Sequence, residues 1–252
     1  MQYKYEKALR DYSDLASGRV FYSSPGYPAF PVRLASEIFQ RCLAQRAAIY
    51  QATSACTLYD PCCGAAYHLS VIAYLHGAHL REIVASDIDE KAVALAERNL
   101  GLLSVAGLDQ RIEEISSMLD QYHKESHQEA LRSAQVIKNK IVSFTREKPL
   151  ITKVFQANAT DSLSILQYIN PKSVDIVFTD VPYGQHSRWF RSENDESLNP
   201  ISAMLDALLG VLSASSVLAI VSDKQQKVSH ERYQRLEQFQ VGKRRVVILK
   251  PN

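Results

Sequence analysis

The stretch CTLYDPCCGAAYHLSVIAYLHGAHLREIVASD, residues 56–87, decides the fold class. It begins with a short apolar segment at 56–60 and ends with another at 82–87, and the leucines and isoleucine between them recur at helical spacing. A strand, a helix and a second strand in this order form a unit whose two strands lie parallel in one sheet. Residues 56–87 therefore predict an α/β domain.

The same alternation continues along the chain. Residues 89–103 have helical periodicity, and three later apolar segments have the length of strands: KVFQAN (153–158), SVDIVFTD (173–180) and SVLAIVSD (216–223). Their uninterrupted apolar runs are typical of parallel strands that helices cover on both faces. RLEQFQV (235–241) and RRVVILK (244–250) flank a turn at Gly242 and predict an antiparallel pair that closes the sheet. We predict seven strands, mostly parallel, with an antiparallel C-terminal strand.

Two regions interrupt this rhythm. Residues 1–55 are interpreted as a helical N-terminal extension packed on the core, with helices on both sides of a proline-rich loop at 23–31. The core is then 56–252, and apolar residues at helical spacing predict a helical insertion at about 108–148. The insertion is interpreted as a packing hairpin or as a partner-binding appendage.

Composition excludes several classes of protein. Hydrophobic residues are 46% and charged residues 22% of the 252, which excludes wholesale disorder. Apolar runs fall short of the roughly 20 residues of a membrane helix, and the first residues lack the apolar segment of a secretory signal. The four cysteines form no C-x-x-C pair and the histidines are scattered, so we expect free thiols and no metal site. We expect a cytoplasmic monomer that does not bind membranes.

The distribution of charge is weak evidence about binding partners. The net charge is +2, and the C-terminal half carries the basic excess. A polyanionic partner and ordinary charge scatter explain this pattern equally well.

Polar side chains follow the first two strands. Asp60 ends the first strand and Gly64 permits a tight turn, but neither a G-x-G-x-x-G nor a G-K-[ST] pattern follows, which disfavours nicotinamide enzymes and P-loop NTPases. Asp87 ends the second strand, where a carboxylate can accept both hydroxyls of a ribose. A solvated loop acid is the alternative for Asp87.

The segment TDVPYGQHSRW, residues 179–189, is the most specific of the motifs that follow the predicted strands. Its strand delivers Asp180, Pro182 fixes the backbone and Tyr183 presents a flat ring. A carboxylate and a stacking ring can hold a nucleobase so that a nitrogen lone pair is aimed at an electrophilic methyl group. An ordinary β-turn is the alternative.

These motifs carry a family resemblance. DPCCG (60–64), ASDID (85–89) and TDVPYG (179–184) resemble the AdoMet-binding and catalytic motifs of class I methyltransferases, and the last resembles the (Asp/Asn)-x-Pro-Tyr signature of enzymes that methylate base nitrogens. A closer similarity, to 23S rRNA guanine methyltransferases of the avilamycin-resistance type, adds SDLASG (13–18) and SSPGYPAFPVRLASEIFQR (23–41). It covers nearly the whole chain and is weakest at 110–150.

The resemblance implies a Rossmann-like class I methyltransferase fold, S-adenosyl-L-methionine (AdoMet) as cofactor and a guanine in the peptidyltransferase region of 23S rRNA as substrate. It implies no metal, and it connects the activity with resistance to orthosomycin antibiotics. The residues that it assigns to AdoMet are Asp60, Cys62, Cys63, Gly64, Asp87, Ile88, Asn158 and Ala159. Those assigned to the target base are Asp180, Pro182 and Tyr183, and those interpreted as RNA contacts are Arg33, Arg188, Trp189 and Arg191.

The sequence departs from the family pattern at one loop, and two other functions are alternatives to rRNA methylation. The loop reads Gly64-Ala65-Ala66 where the family pattern is Gly-Ser-Gly, and a Cβ at position 66 would crowd the cofactor if the backbone φ there is positive. The rival functions are a DNA or small-molecule N-methyltransferase on the same core, and a non-catalytic RNA-binding protein on a degenerate core.

Overall fold

The computed structural model describes residues 3–145, 149–181 and 199–252. One seven-stranded sheet runs through it in the order β3-β2-β1-β4-β5-β7-β6. Its strands are β1 (Cys56–Asp60), β2 (Leu80–Asp87), β3 (Ile151–Gln156), β4 (Val174–Asp180), β5 (Leu212–Asp223), β6 (Tyr233–Val241) and β7 (Arg244–Pro251). β7 runs antiparallel to both neighbours, and β1 to β5 pair in parallel. The predicted mostly parallel sheet with an antiparallel C-terminal strand is confirmed.

Seven α-helices accompany the sheet in the described part of the chain. They are α1 (Val32–Tyr50), α2 (Tyr67–His76), α3 (Glu90–Gly101), α4 (Val105–Tyr122), α5 (Glu125–Thr145), α6 (Ser162–Leu166) and α7 (Pro200–Leu208). Side chains of α1 to α5 share one apolar cluster, and those of α6 and α7 share a second cluster on the other face of the sheet. None of these helices is both long and apolar enough to cross a bilayer.

The two clusters explain the uninterrupted apolar strands. Neighbouring residues of a strand point to opposite faces, so Ile176 joins the first cluster and Val177 the second. Leu58 and Tyr59 of β1 divide in the same way. A sheet covered on both faces needs apolar residues at both alternating positions.

The N-terminal segment differs from its prediction. Only the second of the two expected helices forms, as α1; the earlier described part is irregular apart from a 3-10 turn at Ser13–Leu15. The buried Glu37 carboxylate of α1 accepts the backbone N–H groups of Lys4, Tyr5 and Glu6 at 2.7–2.9 Å. These donors are satisfied by a side chain instead of by a helix, which fixes the segment against α1.

The region of the predicted insertion contains α4 and α5. They pack against each other, and α5 also contacts α2 and the 3-10 turn. The pair thus contributes to the core as a helical hairpin. The division of the chain at residue 55 stays an interpretation.

Candidate active site

A cavity of about 1190 Å³ opens at the carboxyl ends of β1, β2, β3 and β4. Two of these strands, β1 and β4, are neighbours at the point where the order of the sheet reverses, which is where ligands bind in open α/β sheets. The lining includes residues 23–28, 61–65, 87–89, 158–159 and 180–181, with Phe30, Tyr67, His68, Lys91, Ala94, Leu95 and Arg98. Seven of the eight residues assigned to AdoMet, together with Asp180, therefore lie on one cavity.

The loop between β1 and α2 is held by its own backbone donors. Cys62 N donates to Asp60 Oδ1, Cys63 N to the carbonyl of Ser86 and Gly64 N to Asp87 Oδ2, each at 2.9 Å. The loop is thereby fixed to the end of β2. Burial raises the pKa of both cysteine thiols, which keeps them protonated and apolar in the cavity wall.

Gly64 faces Tyr27 of the N-terminal segment. Its φ is +51°, and a Cβ there would stand 3.7 Å from Tyr27 Cδ1. A Cβ would make ordinary van der Waals contact with the Tyr27 ring, so the positive φ, and not a lack of space, disfavours a side chain here.

Ala66 has a positive φ, the conformation in which a Cβ was expected to crowd the cofactor. Its φ is +51° and its ψ 26°, a left-handed conformation that costs an L-residue roughly 1–2 kcal/mol. The methyl group, however, is fully buried in the core cluster and does not line the cavity. The loop is strained at Ala66, but the Cβ does not reach the space assigned to the cofactor.

Asp60 lies behind the cavity wall. It is fully buried, and its Oδ2 stands 3.2 Å from Nε2 of His68, a residue that does line the cavity. Burial lowers the pKa of His68, but Asp60, the Phe178 carbonyl and Asp180 together outweigh burial and raise it overall. Asp60 thus supports the loop and His68 from behind, where the resemblance implied a direct contact with AdoMet.

Asp87 ends β2 in the cavity. It accepts hydrogen bonds from Gly64 N at 2.9 Å and from Asp89 N at 3.0 Å, and burial raises its pKa. One lone pair on each oxygen is used by these donors, so each oxygen can still accept a ligand hydroxyl.

Tyr27 closes the cavity from the N-terminal segment. Ser24 to Tyr27 form a turn, closed by Tyr27 N to Ser24 O at 3.2 Å, in which Gly26 supplies a φ of +93° after Pro25. The turn places the Tyr27 hydroxyl 2.5 Å from Asp89 Oδ2. Burial and this bond raise the pKa of Tyr27, which keeps its hydroxyl a donor.

Asn158 and Ala159 follow β3 on the far side of the cavity. Asn158 Oδ1 accepts both the N–H and the hydroxyl of Thr160, at 3.0 and 2.9 Å. Since that oxygen is engaged, the Asn158 amide hydrogens are the groups it can offer to a ligand. Ile88 is fixed nearby, because Gln156 Nε2 donates to its carbonyl at 2.9 Å.

Asp180 is the last residue of β4. Its Oδ2 lies 3.8 Å from Arg244 Nε, and its Oδ1 has no hydrogen-bond partner among the described residues. Burial raises the pKa of Asp180 to about 6, although Arg244 and His68 oppose that rise. Near neutral pH Asp180 can therefore exchange a proton. Pro182 and Tyr183 lie outside the described residues.

The RNA contacts remain predictions. Arg33 donates from Nη2 to the Glu6 carbonyl at 2.6 Å and from Nε to the same oxygen at 3.0 Å, and it lies over the Tyr3 ring. Its guanidinium is engaged in fixing the N-terminal segment. Arg188, Trp189 and Arg191 lie outside the described residues.

Sequence reasoning did not assign four residues to this site: Tyr27, His68, Asn99 and Arg244. The first two line the cavity, and the other two contact residues of its wall. Buried Asn99 donates to the carbonyls of Ala65 and Tyr22 at 2.9 and 3.1 Å and accepts Tyr22 N at 2.8 Å, so it ties α3 to the loop and to the N-terminal segment. A polar residue on the apolar face of α3 was the available signal for Asn99. The roles of Tyr27 and Arg244 depend on contacts between distant segments.

Comparison with known proteins decides the family. The family model described as rRNA methyltransferase AviRa matches residues 1–244. The chain belongs to the AviRa family. A Streptomyces viridochromogenes protein named 23S rRNA (guanine(2535)-N(1))-methyltransferase is 36% identical over 248 residues, which cover 98% of this chain and 95% of that protein.

Solved AviRa structures agree over the same length. AviRa from S. viridochromogenes at 1.5 Å superimposes with a TM-score of 0.87 at 35% identity, covering 99% of this chain and 96% of that one. A second AviRa structure, at 2.4 Å, gives a TM-score of 0.86 at 35% identity, with coverage of 98% and 96%. The resemblance inferred from the sequence motifs is confirmed.

Proposed function

We propose that this chain transfers a methyl group from AdoMet to N1 of a guanine in 23S rRNA. The observation that carries the proposal is that Asp87 and Asp180 open into the same cavity, at the ends of β2 and β4. The first is placed to hold a cofactor and the second to meet an acceptor. The name of the Streptomyces relative supports the guanine N1 position.

The cavity fits AdoMet by its volume and by the polar groups that line it. Its volume exceeds the roughly 300–1,000 Å³ of common small-molecule sites, which leaves room for a nucleoside and an incoming base. Tyr27 and Gly64 both line the cavity, where they would contact the adenosyl group. Asp87 would hold the ribose hydroxyls, and Ile88, Asn158 and Ala159 would surround the adenine.

The methionine end would lie along the loop after β1. Cys62, Cys63 and Gly64 line that part of the cavity, and Asp60 fixes them from behind. AdoMet, when bound, supplies a methyl group that is activated by its positively charged sulfur. The chain has to present a nitrogen lone pair to that methyl group and to exclude water.

Guanine N1 carries a proton at neutral pH, so its lone pair must be released during transfer. We assign the proton to the carboxylate of Asp180, a residue that lines the cavity. The N1–H bond breaks as the N1–CH₃ bond forms, the proton passes to the carboxylate, and the methyl–sulfur bond breaks. Proton acceptors of this kind work best when their pKa lies near the working pH, as that of Asp180 at about 6 does.

The remaining assignments concern partners. Pro182 would fix the backbone after Asp180, and Tyr183 would stack on the base. Arg33, Arg188, Trp189 and Arg191 would contact 23S rRNA, free or within a large-subunit particle. We propose that the chain acts in the cytoplasm as a monomer and that expression in a susceptible bacterium raises tolerance to orthosomycins.

Transfer of tritium from methyl-labelled AdoMet to purified 23S rRNA tests the function. N1-methylguanine blocks base pairing, so primer extension should stop beside the modified guanine. Asp180→Ala should bind AdoMet normally in calorimetry and lose about two to four decades of single-turnover rate, as removal of a proton acceptor does.

Other results would point to the rival functions. Labelling of DNA instead of rRNA would identify a DNA methyltransferase, and absence of AdoMet binding would identify a degenerate core. A fully active Asp180→Ala enzyme would move the proton transfer to another group.

A further inference from the structure

Arg244 reaches the catalytic edge of the sheet from its antiparallel strand. It is the first residue of β7 and pairs with Asp223 of β5, while Asp180 of β4 pairs with Val221 of the same strand. The Arg244 side chain thus crosses the end of β5 to place Nε 3.8 Å from Asp180 Oδ2. The approach is an ion pair without a hydrogen bond.

Phe30 holds the guanidinium in this place. Its ring centroid lies 5.2 Å from Arg244 Cζ, within the range of a cation–π contact. Phe30 is itself fixed edge-to-face on Phe178 of β4, at 5.6 Å between centroids. Both charged side chains are largely buried, with exposures of 27% for Arg244 and 23% for Asp180, so their interaction is screened less than at an open surface.

Arg244 approaches one oxygen of Asp180 and leaves the other. Oδ2 faces the guanidinium, and Oδ1 has no hydrogen-bond partner in the part of the chain that the structure describes. An ion pair to one oxygen restrains the rotation of the carboxylate. Because Oδ1 is buried, the carboxylate is restrained on both sides.

Several described charged groups act on Asp180. Arg244 from β7 and His68 from α2 favour its carboxylate form, while Asp60 from β1 opposes it; the Cys62 thiol of the β1–α2 loop also interacts with it. Burial raises the pKa of Asp180 to about 6 even with Arg244 in place. Loss of the Arg244 charge would raise it further, and less carboxylate would exist near neutral pH.

We propose that Arg244 is a positioning residue for methyl transfer, which holds Asp180 in its carboxylate form and restrains its orientation at the cavity. The inference rests on the proposed function. Residues of β4 carry the reacting carboxylate, and a residue of the C-terminal hairpin determines its charge and orientation.

The test compares pH profiles of Arg244→Gln and the wild type. Single-turnover methylation of 23S rRNA is measured with AdoMet and RNA saturating. The acidic limb of the Arg244→Gln profile should move up by about one pH unit, the effect of removing a single nearby opposite charge. The rate would then fall about threefold at about pH 6.5 and recover at about pH 9. Arg244→Lys keeps the charge and should restore most of the wild-type profile.

Arg245→Gln is the matched control. Arg245 is the next residue of β7 and donates through Nη1 to the carbonyl of Gln226 at 3.0 Å, away from Asp180. Its replacement removes the same charge from the same strand, and its pH profile should overlay that of the wild type. If Arg244→Gln does not fold, Arg244→Met keeps an apolar stem over Phe30 and replaces it.

A second readout is independent of activity. Carbon-13 NMR of the Asp180 carboxyl in the ligand-free protein should show a higher pKa in Arg244→Gln than in the wild type. An active wild type with an unshifted variant profile and an unshifted carboxyl titration would overturn the inference. A wild type without methylation activity would instead overturn the proposed function, and the NMR titration would still decide whether Arg244 controls the ionisation of Asp180.

Discussion

Replacing Asp180 with asparagine should make the protein more stable at neutral pH while it removes methyl transfer. Asp180 is held in a buried position that disfavours its charge, and burial raises its pKa to about 6 from the ordinary 3.8. A residue required for function is thus kept at a cost in stability. The asparagine amide would keep the shape of the side chain and remove the charge.

The sign and size follow from the two pKa values. The folded state binds the proton more tightly than the unfolded state, so the stabilisation is complete below about pH 3.8 and is lost as the pH rises through about 6. A difference of about two pKa units corresponds to about 3 kcal/mol in the free energy of unfolding. About half of this, roughly 1.5 kcal/mol, should be lost between about pH 5 and about pH 7.5.

Urea unfolding of the wild type and of Asp180→Asn across this range measures the effect. The difference between their free energies of unfolding should grow by about 1.5 kcal/mol from about pH 5 to about pH 7.5. Using this pH-dependent difference cancels any constant effect of the amide. Glu231→Gln, at an exposed position, controls for the change in net charge. Parallel pH curves for Asp180→Asn and the wild type would refute the reasoning.

Three further substitutions test the cavity by calorimetry and thermal unfolding. Asp87→Ala should weaken AdoMet binding by about one to two decades and lower the midpoint of ligand-free unfolding, because two backbone donors lose their acceptor; unchanged affinity would remove Asp87 from the site. Tyr27→Phe removes the bond to Asp89 and should weaken AdoMet binding roughly three- to tenfold, whereas a phenylalanine at exposed Tyr5 should not. Ala66→Gly relieves the strain of the positive φ, but it removes a buried methyl group and gives the unfolded chain more conformational entropy. The free energy of unfolding should therefore change by less than about 1 kcal/mol, and the affinity for AdoMet should not change. A large loss of AdoMet affinity would show that the methyl group contacts the cofactor.

The strands at the centre of the sheet were predictable because the signal for each lies in its own run of apolar residues. β1 was predicted at 56–60 and β4 at 173–180, and the structure has Cys56–Asp60 and Val174–Asp180. Both are covered by helices on each face, so their apolar runs begin and end with the strand. Since parallel strands end at one edge, the sequence also indicated that Asp87 and Asp180 share a cavity.

The start of β5 was not predictable in this way. The strand begins at Leu212, before the predicted 216, and continues through polar residues. Ser213 Oγ donates to Asp175 Oδ1 at 3.0 Å, and Arg46 of α1 donates to the Ser215 carbonyl at 3.1 Å. These partners are far away in the sequence, so the serines resembled a loop.

The residues around the reacting groups were missed for a related reason. Arg244 meets Asp180 only through the antiparallel register of β7 with β5, which a sequence pattern does not specify. Arg33 had the composition of an RNA contact, and only the fold shows that its guanidinium meets the carbonyls of Glu6 and Lys7. Tertiary pairing decides such roles, and periodicity carries no information about it.

The contact of Phe30 with Arg244 has a consequence for the synthesis of the protein. Phe30 is synthesised before the strands of the sheet, and Arg244 belongs to β7, which follows the six other strands of the described chain. A nascent chain can therefore assemble its cofactor loops while the group beside Asp180 is still to be translated. Asp180 should therefore acquire its full share of carboxylate near neutral pH only after β6 and β7 have folded against β5.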